Sequence, residues 1–101
     1  MDDLELDPLS KKAVGLRLEL TRDALGAKPG VFATGAGIGV NTYSQYESGA
    51  RMPVLANALK LCARYELTLD WIYRGDPSGL KYNLADKIIR LRQARNSARR
   101  K

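Results

Sequence analysis

The chain contains no histidine and a single cysteine, Cys62. With no imidazole and only one thiol, the nitrogen and sulfur sets that hold zinc cannot be assembled. An internal disulfide is equally excluded, and Cys62 falls inside an apolar helical pattern. No apolar run approaches the roughly 20 residues that a membrane-spanning helix needs. The opening Met1-Asp2-Asp3-Leu4-Glu5 is acidic where a secretory leader begins positive. These absences predict a cytoplasmic protein with no cofactor, no metal and no membrane partner. Catalytic motifs are missing too: there is no phosphate-binding loop and no nucleophile elbow. Gly35, Gly37 and Gly39 form a G-x-G-x-G string, but no apolar strand precedes it and no βαβ unit surrounds it, which argues against a dinucleotide site. No cluster of acids suggests a general acid and base, so the chain is not expected to be an enzyme.

What is present is a 101-residue chain, 45% apolar and 28% charged, the composition of one soluble globular domain. Its net charge of +6 is unevenly spread. Asp2, Asp3, Glu5 and Asp7 make the first residues acidic, whereas residues 81–101 carry eight Lys or Arg against one Asp. The expected organisation is an acidic arm over 1–8, a mildly basic body over 9–76, and a turn with a basic helix and tail over 77–101.

Periodicity predicts short helices and no strand. Asp7-Pro8 reads as a start signal for a helix over Leu9–Leu25, with Val14, Leu18 and Leu25 on one side and Gly26 as the stop. Pro29 opens a second helix that Gly35 and Gly37 keep short. A third runs Val40–Ser48 and is closed by Gly49. The fourth, Val54–Tyr65, turns Leu55, Leu59 and Cys62 inward. Thr68 caps a fifth carrying Asp70, Trp71, Ile72 and Tyr73. The Gly75-Asp76-Pro77-Ser78-Gly79 turn cluster marks a boundary. Beyond it Leu84, Ile88 and Leu91 predict a helix over 83–95, with Asn96–Lys101 frayed.

The stretch from Phe32 to Gly49 reads Phe32-Ala33, then Gly37-Ile38 at a turn, then Thr42-Tyr43-Ser44-Gln45-Tyr46-Glu47-Ser48-Gly49, followed by Arg51 and Pro53. It resembles the Cro/repressor-type (Xre) helix-turn-helix family without a gap. Leu67-Thr68-Leu69-Asp70-Trp71-Ile72-Tyr73-Arg74-Gly75 resembles the end of that domain. The resemblance covers roughly residues 13–75 and implies an all-α, five-helix, lambda-repressor-like domain followed by the basic C-terminal helix. Ala33, Gly37, Ile38 and Tyr43 are then scaffold: a small residue where helices cross, a residue tolerating positive φ, and apolar groups between helices.

The resemblance implies a transcriptional regulator, expected to be a repressor, that binds double-stranded DNA. The third helix enters the major groove, with Val40, Asn41 and Gln45 reading bases. Asn and Gln suit bidentate contact with adenine, and Val40 suits a thymine methyl. Backbone contacts fall to Arg22, Lys28, Gly30, Thr42, Ser44 and Arg51, and to main-chain N–H groups from Ala50 to Met52. Arg22 is expected to pair with Glu47. Gly39 stands where Ser or Thr usually caps the reading helix and so supplies no hydroxyl to a phosphate.

Lys11, Lys12 and Arg17 read as solvated charges. For Leu84, Ile88 and Leu91 three uses stay open: packing on the body, a seam in a homodimer, or presentation of Arg90, Arg92, Arg95 and the terminal cations to phosphates. A second class of function makes the domain a protein-interaction module or antitoxin, docking a partner through Trp71, Tyr73 and the tail.

Overall fold

Turns precede the first helix. The Asp7 carboxylate accepts a hydrogen bond from the Leu9 N–H at 2.9 Å, while the Ser10 hydroxyl accepts one from the Ala13 N–H at 3.1 Å. The computed structural model describes residues 6–99. In it Ser10, not Asp7, is the N-cap, because Asp7 is used in a local turn two residues on. Helix α1 therefore spans Lys11–Ala24, followed by α2 (Pro29–Gly35), α3 (Val40–Glu47) and α4 (Leu55–Tyr65). A π-helical turn over Asp70–Arg74 and a long α5 (Tyr82–Arg99) complete the path. No strand occurs among the described residues, and the all-α architecture agrees with the sequence. No helix among them is long and apolar enough to cross a membrane.

Helix α1 is the axle, in contact with α3, α5 and the π-helical turn. Val14 and Leu18 are fully buried on it, but Leu25 is exposed, because the helix ends at Ala24. The next core position on that stripe is Thr21. Its hydroxyl donates to the Arg17 carbonyl (2.7 Å) and accepts from the Trp71 indole N–H (2.9 Å). One hydroxyl thus satisfies a buried indole that would otherwise carry a desolvation cost of about 1–3 kcal/mol.

Arg17 is not solvated. It is 5% exposed, with Nε and Nη2 on the Ile72 carbonyl (3.2 and 3.1 Å) and Nη2 also on the Pro8 carbonyl (2.6 Å). Burial, and then the charge of Arg92, lower its pKa to about 10. A cation here is kept by backbone carbonyls distant in sequence, which local pattern does not reveal. Lys11 and Lys12 are exposed as expected.

Helix α4 faces the core differently from the sequence expectation. Ala58 and Leu61 are fully buried, Cys62 is half-buried, and Leu55 and Leu59 point outward at 57% and 49% exposure. Two apolar stripes lie side by side on this helix, and the neighbouring chain selects the one whose small Ala58 permits close contact. Burial pushes the Cys62 thiol up, away from the reactive thiolate.

Helix α5 folds back onto the body. Leu80, Leu84 and Ile88 join the same core as α1, and Leu91 packs against it, so the stripe is used within the chain. Arg95 is held by Glu19 of α1 (2.8 Å) and by Asp23. Asn96 is buried, and the helix persists through Arg99 where the sequence suggested fraying. The acids on α1 turn the basic helix into a clamp. Arg100, Lys101 and most of the acidic arm lie outside the described residues.

Two helices approach closely at Gly15. A Cβ there would sit 2.5 Å from the Glu47 carbonyl oxygen and 2.7 Å from that of Tyr46. Helix α1 thus touches the backbone of the last turn of α3, which only glycine allows. Gly15→Ala gains helix propensity of up to about 1 kcal/mol, but overpacking against fixed backbone outweighs it. A net loss of about 2 kcal/mol is expected, lowering Tm by about 10 °C in a thermal melt. A Tm equal to or above that of the parent would show that α3 can give way.

Candidate nucleic-acid interface

The connection between α2 and α3 is a tight turn. Gly37 adopts φ +76°, which a side chain would resist, and the Ile38 N–H bonds the Ala33 carbonyl at 2.9 Å. Phe32, Ala33, Ile38 and Tyr43 are buried beneath it. The Phe32 ring stacks on Tyr65 of α4 with centroids 4.1 Å apart, and the Tyr65 hydroxyl donates to the Phe32 carbonyl at 2.7 Å. On α3 itself, the Tyr46 hydroxyl accepts from the Asn57 amide at 2.8 Å. Two helices of seven and eight residues are thereby fixed at a definite angle on a larger support. The four scaffold residues stand as the sequence placed them.

The outer side of α3 is bare. Val40 is 49% exposed, and Asn41, Ser44 and Gln45 are exposed, with Thr42 half-buried. Asn41 and Gln45 lie one helical turn apart and share a face. Gly39 is the N-cap and makes no side-chain cap, so the first N–H groups of α3 lack a protein side-chain partner. The Gln45 amide oxygen accepts from Arg51 Nη1 at 3.3 Å, which biases the amide orientation while leaving its second lone pair for another donor.

Not every expected backbone contact is available. The Ala50 and Arg51 N–H groups both bond the Gln45 carbonyl, at 3.0 and 3.1 Å. They close the end of α3 and are not free phosphate donors, as the sequence reading had them. The Arg51 side chain and Met52 are exposed beside them. Lys28 is exposed at the N-cap of α2, where it makes no cap, and Gly30 follows Pro29 in the first turn. The sequence reading missed Val31. It is 67% exposed and, with Gly30, Thr34, Gly35 and Val40, lines an open apolar groove where α2 meets α3. A bulky apolar residue in the first turn of a short helix that buries only Phe32 and Ala33 is the signal that could have exposed it.

The expected pair of Arg22 and Glu47 is present and forked. Arg22 Nε lies 3.0 Å from Glu47 Oε2 and Nη2 lies 2.7 Å from Oε1, while Nη1 donates to the Ala27 carbonyl at 2.9 Å. The bond to Glu47 raises the Arg22 pKa above its ordinary value, against the effect of burial. With its donors turned inward, Arg22 is first a brace between α1 and α3. Behind the pair the buried Tyr43 hydroxyl makes no hydrogen bond of good geometry.

Burial, and then the neighbouring Glu47 carboxylate, push the Tyr43 phenol far up. An unfolded phenol ionises near 10. The stability tied to keeping Tyr43 neutral is therefore full below pH 10 and is lost as pH climbs above it. Tyr43→Phe is expected to keep the parent Tm at pH 7, since the lost hydroxyl has no partner. Above pH 10 its Tm should fall less steeply than that of the parent. Parallel slopes in paired melts between pH 8 and 11 would show that the phenol is accessible.

No curated protein and no solved structure matches the chain. A family model described as helix-turn-helix matches residues 18–72, from the middle of α1 to the π-helical turn. With that match spanning more than half its length, the chain belongs to the Cro/C1-type, Xre-like helix-turn-helix family of DNA-binding regulators.

Proposed function

We propose that the chain reads a specific duplex sequence with α3 in the major groove and represses transcription by occupying that site. The observation that carries this reading is the pairing of bare Asn41 and Gln45 on one face of a helix whose other face is locked into the core. Rigid presentation keeps a reading residue in register, and amide side chains supply the donor and acceptor that adenine presents in that groove. Arg51 supports the geometry by holding the Gln45 oxygen. Val40 and Val31 together form the apolar patch that a thymine methyl would meet. Phosphates would be met by Lys28, the Gly30 N–H, Thr42, Ser44, Arg51 and the Met52 N–H, flanking the reading face on both sides.

Two further expectations follow this reading with changes. A homodimer on a pseudo-palindromic site would have to meet through a surface other than Leu84, Ile88 and Leu91, which are spent on the chain's own core. The interaction-module reading loses its anchors: Trp71 is fully buried, and the Tyr73 hydroxyl donates to the Pro53 carbonyl at 2.7 Å. No observation favours it over DNA. Work in the cytoplasm is part of the same proposal.

Selection from a random duplex pool is expected to yield one enriched motif. On that motif Asn41→Ala or Gln45→Ala should each weaken binding by about 1–3 kcal/mol, and hardly at all on unrelated duplex. Lys28→Ala and Arg51→Ala should weaken both and lower the salt slope by about one each. Enrichment of the same motif by the double variant Asn41→Ala, Gln45→Ala would rule out this reading face.

A further inference from the structure

Where α2 meets α3, Val31 and Val40 line an open apolar groove completed by Gly30, Thr34 and Gly35. None of these five residues is charged. The two glycines stand there for different reasons. A Cβ on Gly35 would lie 2.6 Å from the Tyr65 hydroxyl, so the packing of α4 against α2 demands glycine. A Cβ on Gly30 would meet nothing within 4 Å, and Gly30 is not among the glycines with positive φ. Glycine weakens a helix relative to alanine, and no neighbour among the described residues accounts for this one. What its missing side chain does is leave the groove open.

The groove is continuous with the reading face, because Val40 is followed on α3 by the bare Asn41. Among the groups that bases present in the major groove, the C5-methyl of thymine is the apolar one. A methylated cytosine carries the same group on the same ring atom. An apolar wall responds to the methyl and not to the ring that bears it. Beside the methyl the two pyrimidines differ: thymine presents the O4 acceptor and cytosine the N4 donor. Thr34 supplies the one polar side chain on the groove, and a hydroxyl can donate or accept. Nothing lining the groove therefore favours thymine over 5-methylcytosine.

We infer that this groove binds the C5-methyl group of a pyrimidine in duplex DNA, thymine or 5-methylcytosine alike, so that cytosine methylation at that position strengthens binding. The inference rests on α3 entering the major groove. It makes Val31 of α2, at 67% exposure, a specificity-determining residue beside those of α3. Removing one methyl group from water corresponds to about fourfold in affinity.

The test uses the full chain and the duplex motif that it enriches from a random pool. Each thymine of that motif is replaced in turn by deoxyuridine, which lacks only the methyl, and Kd is measured at constant salt. At one position Kd should rise about fourfold. There, 5-methylcytosine should bind more tightly than cytosine by a similar factor. Val31→Ala truncates the groove wall at an exposed site, so Tm should not fall. In this variant the preference for thymine over uracil at that position should drop below about twofold, with the uracil duplex bound as by the parent. A motif in which no thymine methyl matters would overturn the inference and leave the reading by Asn41 and Gln45 standing. An undiminished preference in Val31→Ala, or equal binding of cytosine and 5-methylcytosine, would do the same. Failure to enrich any motif would remove both.

Discussion

Helix α3 can read a surface only if something behind it fixes its position, and two contacts with α1 do so. The forked Arg22 and Glu47 pair sets its rotation, and the backbone contact at Gly15 sets its depth. The two act on one residue, because the Glu47 carbonyl meets Gly15 while the Glu47 carboxylate meets Arg22. Helix propensity offers little help: α3 has eight residues, a glycine cap and no acid in its first turn. A helix that short is marginal in isolation. Its order is imposed from outside, and the outside is chiefly α1.

Helix α1 must in turn be held, and the chain does this with polar groups that ordinarily avoid interiors. The Thr21 hydroxyl accepts from the Trp71 indole, and Arg17 donates to the Ile72 carbonyl. Both bonds run between α1 and the π-helical turn, so the C-terminal part of the domain is fastened to the axle by directional contacts as well as by burial. Helix α5 adds Leu84 and Ile88 beneath and the Arg95 clamp on Glu19 and Asp23 above. Two further cations of this region also stand beside acids, Arg90 with Asp86 and Lys81 with Glu66. Through Arg95 the basic helix acts as a strap across α1.

What the sequence made legible and what it concealed divide along physical lines. The α2–α3 turn could be read because Gly37, Ile38 and Tyr43 each answer a local demand: a positive φ, a buried corner, a helix face one turn on. The shared exposed face of Asn41 and Gln45 agrees with the same register. The inward face of α4 could not be read, since Leu55 with Leu59 and Ala58 with Leu61 form equally good stripes, and the choice belongs to the neighbours. Arg17 was concealed because its partners lie 9 and 55 residues away and are backbone carbonyls, which carry no side-chain signature. Gly15 was concealed for a related reason. Inside a helix a glycine looks like a weakness until the opposing backbone is known.

The same contrast bears on how recognition and support are divided over the surface. Residues facing DNA in the proposed mode are mostly neutral, namely Val40, Asn41, Thr42, Ser44 and Gln45, with Lys28 and Arg51 at the flanks. Such a face gains little from long-range attraction and must rely on fit, which raises the premium on holding α3 rigidly. Arg17, Arg74 and Arg92 border a cavity that no residue of α2 or α3 lines. The rigidity of α3 has to come through the packing at Gly15 and the Arg22 fork, for those are the contacts by which α1 holds the last turn of α3.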